Sequence, residues 1–303
     1  MSGGPDSITL LDVLLKIQKE IKFNIVVAHI NHMIRKEAID DQKYVEEFCK
    51  NRKIPCFVKQ VEIQDIAKKQ KIGTEEAGRK IRYEFFDEIL KQTNSNKIAT
   101  AHTKNDNVET VLMNIIRGTG TSGLKGIEVI RENKYIRPLL NCKRNQIEEY
   151  CKINNLKPRI DKTNMENIYT RNKVRNLLIP YIQKGFNPNI IEAIDRLSKI
   201  SKEENQFIED KTIQAYKEIL IEETKEQITL DLKKFNVLEL VIKNRIVLYT
   251  INRLFGSSSG IEKIHIQDII KLCSNNIGNK FLIPNKKVKI LVKNKKIFFM
   301  TNK

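Results

Sequence analysis

The chain has 303 residues, 40% of them hydrophobic, which is enough for one large or two ordinary domains with a sizeable core. Its 55 basic and 37 acidic side chains give a formal net charge of +18, a field that points to a polyanionic partner, nucleic acid before membrane. No unbroken apolar run of about 18 residues and no basic-then-apolar leader is present, so the sequence predicts a cytoplasmic protein with no membrane partner.

The segment SITLLDVLLKIQKEI places Ile8, Leu11, Leu14, Leu15 and Ile21 on one helical face, and the apolar run FNIVVAHIN that follows suits a buried strand. Next come IPCFVKQVEI as strand, TEEAGRKIRYEFFDEILKQ as helix, NKIATAHT as strand and NDNVETVLMNIIRGTG as helix. After YIRPLL there is a helix, NQIEEYCKINN, then a basic stretch, LKPRIDKTNMENIYTRNKVRNLLIPYI, read as irregular surface. Alternating strands and helices predict an α/β fold with a parallel, doubly wound sheet covered on both faces.

Gly185 and Pro188 interrupt the chain before a long amphipathic segment, IIEAIDRLSKISKEENQFIEDKTIQAYKEIL, and set the predicted boundary between residues 1–185 and 186–303. The second, smaller α+β domain reads as a strand QITLDL, helices VLELVIKNRIVLYTINRLFG and IEKIHIQDIIKLCSN, and a terminal hairpin KFLIPNKKVKILVKNKKIFFM. From Asn279 to Lys303 eight lysines occur with no acidic residue, either a strand edge protected from pairing or a phosphate-backbone surface. The five cysteines, Cys49, Cys56, Cys142, Cys151 and Cys273, form no C-x-x-C pair, which argues against a zinc ribbon, an iron–sulfur site or a disulfide framework.

In the opening SGGPDS, Gly3 and Gly4 permit a backbone whose successive N–H groups converge on an anion, and the following helix aims its positive end at the same point. Asp6 and Ser7 stand at that helix start, where a carboxylate can hold Mg²⁺ and a hydroxyl can cap or hold a phosphate oxygen. The loop lacks the lysine of a Walker A sequence, and taken alone it also suits an ordinary capped turn. His29 and His32 follow a strand's C-terminal end, where open α/β sheets place ligands; with no third ligand in view they are a poor zinc pair. Asp106 and Glu109, three apart at a helix start, point to one face, and either dipole complementation or chemistry accounts for them. Arg79 and Arg82 share a helix face, as do Arg171 and Arg175.

SGGPDS resembles the pyrophosphate-binding loop of the N-type ATP pyrophosphatases, the PP-loop family with an adenine nucleotide α-hydrolase-like fold. The segments AHINHMIR, EEAGRKIRYEFF, IATAHTKNDNVETVLMNIIRGTGTSGLKGI, YIRPLL and DKTNMENIYTRNKVRNLLIP resemble, in that order, those of the tRNA(Ile)-lysidine synthetases, over residues 1 to about 185. The resemblance implies a carbon–nitrogen ligase that joins L-lysine to the wobble cytidine of the CAU anticodon of tRNA(Ile) through an adenylated base, moving codon reading from AUG to AUA and charging from methionine to isoleucine. ATP is then co-substrate, with Mg²⁺; a homodimer stays compatible with the sequence. Another PP-loop enzyme, acting on a tRNA or a small metabolite, is the alternative.

On that resemblance, Ser2, Gly3, Gly4, Pro5, Asp6 and Ser7 hold ATP, with His29 and Arg79 beside it and Asp6 as the Mg²⁺ ligand. Asp106 and Glu109 join Asp6 as catalytic groups, binding the lysine amine, orienting Mg²⁺ or acting as base. His32, Arg82, Arg171 and Arg175 face the tRNA substrate, the last two gripping the anticodon loop or stabilising charge at the adenylated base, and Asp161 and Asn164 match the family's D-x-x-N. Family members carry a hydrophobic strand just before the loop and often a further C-terminal domain. The expectation is therefore a sheet with a gap beside the site, from a misassigned start codon or a truncated product with weak ATP binding.

Overall fold

The computed structural model describes residues 1–33, 38–159, 166–167, 169–258, 260–275, 280–285 and 287–301. Its contacts fall into two compact units, Met1–Ser201 and Lys202–Lys303. The candidate residues Asp161 and Asn164, together with Arg35, Lys286 and Lys303, lie outside the described residues.

The first unit opens with α1 (Pro5–Ile17), begun by Gly4 and by Pro5 at the position where a missing N–H costs nothing. Ile8 and Leu11 pack against Val27 of strand β1 (Val27–Asn31) and Val45, Phe48 and Cys49 of helix α2 (Ala38–Lys50). Leu10 on the other flank of α1 packs with Leu139 and Ile147, so the helix is buried from both sides. Ile21 does not belong to that face: α1 stops at Ile17, and Ile21 is 62% exposed.

Strand β1 pairs in parallel with β2 (Cys56–Gln60), in a register that sets Val27 opposite Cys56. Helices α3 (Ile63–Gln70) and α4 (Thr74–Gln92) then pack together through Ile63, Ala67, Ala77 and Ile81. Strand β3 (Ile98–Ala99) leads into α5 (Lys104–Ile116) and the short α6 (Thr121–Leu124). Strands β4 (Ile130–Arg131) and β5 (Tyr135–Ile136) complete a second sheet, in which β5 runs parallel to β3 and antiparallel to β4. Helix α7 (Arg144–Ile153) follows. The parallel pairs flanked by helices realise the predicted α/β class.

The stretch read as irregular is helical from Thr170 to Gly185. Helix α8 (Thr170–Lys173) runs into a π-turn, Val174–Leu178, which continues as α9 (Ile179–Gly185). Val174 and Ile179, five apart, are both buried against Val108, Leu112 and Met113 of α5. An α-helix with 3.6 residues per turn cannot bring residues five apart to one face, whereas an i→i+5 turn can. The apolar spacing therefore has no α-helical period, which is why the segment reads as loop.

Helix α10 (Ile190–Ile219) begins in the first unit and ends in the second. In the second unit, β6 (Leu220–Glu223), β7 (Gln227–Asp231), α11 (Leu232–Asn236), α12 (Leu240–Phe255) and α13 (Lys263–Ser274) precede three strands, β8 (Lys280–Asn285), β9 (Val288–Lys293) and β10 (Lys296–Thr301). The expected single hairpin is thus two, because Asn294 and Lys295 turn the chain at positive φ after β9. The antiparallel order β6-β7-β10-β9-β8 buries Ile228, Leu230, Val288, Ile290, Val292, Ile297 and Phe299 against α11–α13. Lysines Lys280, Lys287, Lys293, Lys295 and Lys296 stay exposed. Among the described residues no helix is long and apolar enough to cross a membrane.

Candidate active site

The site assembles beyond the C-terminal ends of the parallel strands, where α1, α4 and α5 begin or pass. In the opening loop Gly3 has φ +83°, which an L side chain adopts only with strain. The N–H groups of Ser2 and Gly3 converge on one oxygen, the Ser7 hydroxyl, at 3.2 and 3.1 Å, and that hydroxyl donates to the Gly4 carbonyl at 3.1 Å. Gly4 stands at the N-cap of α1 with no side-chain cap, so the first-turn amides face outward with the positive end of the helix. This cradle fits the oxygens of a pyrophosphate.

Asp6 lies in the first turn of α1, and its Oδ1 is buried without a hydrogen-bond partner. Burial and the Asp106 charge push its carboxyl up to about 6, against the pull of Arg144 and Arg175. A carboxylate held so uneasily beside an anion cradle fits Mg²⁺, which binds one or two carboxylates and completes its shell with phosphate oxygens and water.

Across from Asp6, Thr103 and Asp106 cap α5 reciprocally: the Thr103 amide and hydroxyl donate to Asp106 Oδ2 at 2.8 and 2.9 Å. Glu109, one turn on and 1% exposed, accepts from Arg175 Nε at 2.6 Å and Nη2 at 2.8 Å; Nη2 also reaches Asp106 Oδ1 at 3.1 Å. Arg171 donates to Thr110 Oγ1 at 3.0 Å and lies 3.8 Å from Glu109 Oε2, while Arg144 lies 3.9 Å from Glu109 Oε1. The two carboxylates respond differently. Burial opposes ionisation of Asp106, yet the Thr103 amide and Arg175 outweigh it and hold its carboxyl below the usual range. At Glu109 burial prevails over Arg175 and the carboxyl is raised. The fork of Arg175 is supplied by the π-turn, which ties the fold of residues 170–185 to the chemistry.

Burial disfavours the charged form of His29 and His32. His29 is 4% exposed, donates from Nδ1 to the Met1 carbonyl at 2.7 Å and leaves Nε2 buried without a hydrogen bond. Burial lowers it, and burial with the Arg82 charge lowers His32, whose ring packs over Gly78 of α4. Arg82 is exposed beside His32, and Arg79, also exposed, lies 5.2 Å over the Tyr83 ring. Two residues escape sequence reasoning. His102, bonded through Nδ1 to Thr100 Oγ1 at 2.9 Å, is pushed down to about 4 by burial and by Arg137, Arg171 and Arg79, although Asp106 opposes this. Its signal is its place at the end of a strand. Arg144 starts α7, far along the chain, and nothing in its surroundings marks it.

An anion cradle, a half-buried acid beside it and a carboxylate pair gripped by arginine, all at the ends of parallel strands, define an α/β domain with a charged site at its strand ends. The chain belongs to the PP-loop family, whose domain model matches residues 1–182. It is 43% identical to a tRNA(Ile)-lysidine synthase of Clostridioides difficile over 98% of this chain and 66% of that protein. Proteins of the same description from Clostridium acetobutylicum (43%) and Clostridium tetani (44%) align with 94% of this chain and with 62% and 61% of their own lengths. The chain thus spans less than two thirds of these curated relatives. In structure it is similar to the U34-tRNA thiolase NcsA of Methanococcus maripaludis, with a TM-score of 0.55 and 19% identity over 67% of this chain and 71% of that one, which is a likeness of fold.

Proposed function

We propose that the protein is an ATP-dependent ligase that joins L-lysine to the wobble cytidine of tRNA(Ile) bearing the CAU anticodon. The observation that carries this reading is the convergence of Asp6 with Asp106, Glu109 and Arg175 in a chain similar over nearly its whole length to lysidine synthases. In the first step the cytidine O2 attacks the α-phosphate of ATP, and pyrophosphate leaves into the Ser2–Ser7 cradle. Mg²⁺, when bound at Asp6, would neutralise charge on the phosphates. In the second step the ε-amine of lysine attacks C2, and AMP departs with the oxygen.

The amine must shed a proton before it attacks, and Glu109, with its raised carboxyl, is the better acceptor of the pair. Asp106, held ionised, attracts the ammonium. Arg175 keeps both carboxylates in place. Arg171 and Arg82 with His32 line the side from which a splayed base arrives, a form in which anticodon loops suit protein recognition.

Incubation of the purified chain with ATP, lysine and a tRNA(Ile) transcript carrying CAU tests the reading. Lysine enters the RNA with release of AMP and pyrophosphate. Absence of incorporation, or incorporation that does not require tRNA, overturns it and favours a PP-loop enzyme with another acceptor.

A further inference from the structure

Two thiols in the first unit stand together and have no task in the reaction as described. Cys49 lies in the last turn of α2 with no exposed surface, and Cys56 opens β2, half-buried against the same core. The six residues between them reverse the chain: the Ile54 amide donates to the Cys49 carbonyl at 3.0 Å, with Lys53 at φ +57° in the turn. Register then fixes the direction of the second side chain. Cys56 is the partner of Val27 across the parallel pair, ladder partners point to one face of the sheet, and Val27 packs in the core that holds Cys49. The Cys49 thiol accordingly donates a hydrogen bond to the Cys56 sulfur. That bond lowers the Cys56 thiol against the cost of burial, and together with burial it pushes Cys49 up. Among the described residues no set of three metal-ligating side chains gathers here, which leaves thiol chemistry.

We infer that Cys49 and Cys56 form a site of reversible oxidation, closed to a disulfide by hydrogen peroxide and reopened by a dithiol, and that the closed bond loosens the phosphate cradle. Environment divides the labour. Cys56, with the better stabilised thiolate and the accessible sulfur, attacks a peroxide oxygen; the O–O bond breaks, hydroxide leaves and Cys56 becomes a sulfenic acid. Cys49, held against it, then displaces the sulfenic hydroxyl, which departs as water with the Cys49 proton. Overall two thiols and one peroxide give one disulfide and two waters, and two electrons pass from sulfur to oxygen. A dithiol reverses the bond by exchange and is itself oxidised to a disulfide.

The cradle rests on the same helix. Val45, one turn before Cys49 on α2, and its neighbour Tyr44 lie 3.4 Å from where a Cβ on Gly3 would stand, so α2 backs the loop that presents the Ser2 and Gly3 amides. Disulfide closure draws the end of α2 toward β2, and a close-packed interior passes the movement on to Val45 instead of absorbing it. Gly3 then loses the backing that holds its left-handed backbone. This consequence rests on the cradle's holding ATP; the bond itself does not.

Treatment of the reduced chain with a small excess of hydrogen peroxide, followed by alkylation, trypsin and mass spectrometry, tests the bond. Cleavage after Lys43, Lys50, Lys53 and Lys59 leaves the two cysteines on separate peptides, YVEEFCK and IPCFVK, so the bond appears as a linked pair that dithiothreitol separates. ATP affinity of the same samples falls about tenfold on oxidation and recovers with dithiothreitol. Cys56→Ser, at a half-exposed position, gives no linked pair and keeps its ATP affinity through the treatment, as does Cys49→Ala, while Cys142→Ser responds like wild type. Peptides that stay separately alkylated while Cys142 is oxidised, or Cys56 passing on to sulfinic acid without linking to Cys49, overturn the site. A linked pair with unchanged ATP affinity discards the coupling to the cradle. A reduced chain that binds no ATP discards the nucleotide reading instead, and the linked pair alone then decides the bond.

Discussion

Arg175 holds Glu109 by two parallel hydrogen bonds, from Nε at 2.6 Å and Nη2 at 2.8 Å, across 66 residues of sequence. Glu109 is 1% exposed, so removing its partner strands a charge in the interior. Arg175→Met is expected to destabilise the first unit by about 3–5 kcal/mol at neutral pH. With only the more distant Arg171 and Arg144 beside it, at 3.8 and 3.9 Å, Glu109 takes a folded-state pKa raised further above its unfolded value. Its contribution is then favourable at low pH and lost as pH rises, so the deficit at pH 8 exceeds that at pH 5. Urea unfolding at the two pH values checks this, and equal losses would contradict it.

Asp6 tells the opposite story for function and stability. Its carboxyl is raised from 3.8 to about 6, so the protonated form is favoured in the fold. The associated stability is fully present below pH 3.8 and lost as pH rises through 6. Asp6→Asn retains it at pH 7 and should be more stable than wild type there by about 2 kcal/mol, after allowance for partial solvent screening. The same variant loses at least about 100-fold in turnover, as expected when a preorganised charge at the reacting phosphates is removed. Denaturation and AMP release on one preparation settle both parts.

His102 and Asp6 oppose each other in acid. Lowered from 6.5 to about 4, His102 binds one proton fewer in the fold than in the unfolded chain across that window, which costs stability as pH falls. Asp6 binds one more between 3.8 and about 6. The two nearly cancel near pH 5. Asp6→Asn should therefore unmask a steeper fall in stability on acidification, with His29 and His32 acting in the same sense as His102. His102→Gln should flatten the acid limb. A pair of variants that leaves the pH profile of melting temperature unmoved would refute the assignment.

Gly3→Ala tests the cradle. The left-handed backbone at φ +83° costs a residue with a Cβ about 1–2 kcal/mol, and the added atom meets Tyr44 Cδ1 and Val45 Cγ2 at 3.4 Å. The KM for ATP should rise about tenfold or more while tRNA affinity holds. A parallel loss of both would point to unfolding of the loop's surroundings instead.

The parts of this site legible in the sequence are those whose chemistry is local. SGGPDS reads as a cradle because glycine, helix start and acid are contiguous, and Asp106 and Glu109 read as a pair because three residues separate them on one helix. Helix α2 escapes because only Val45, Phe48 and Cys49 are buried in a segment crowded with charge. Arg144 escapes because its meeting with Glu109 depends on the tertiary fold, which packs α7 on α1 and brings its first residue to α5. Arg171 and Arg175 are recognisable as a basic pair suited to the anticodon loop or to charge at the adenylated base, but the fork of Arg175 onto two carboxylates is set by the tertiary fold and has no local signal.

The π-turn at Val174–Leu178 makes residue count a constraint in its own right. Its five-residue step lets Val174 and Ile179 both anchor on α5 while Arg175 remains beside Glu109. Deleting one residue between these anchors leaves them four apart, which ordinary α-helical winding also brings to one face, whereas adding one leaves them six apart, which neither winding brings together. One anchor or the guanidinium must then leave its place. Side chains on this stretch can be exchanged more freely than residues can be added to it, so single-residue insertions should be lost from any library screened for activity, while a deletion between the anchors should be tolerated better.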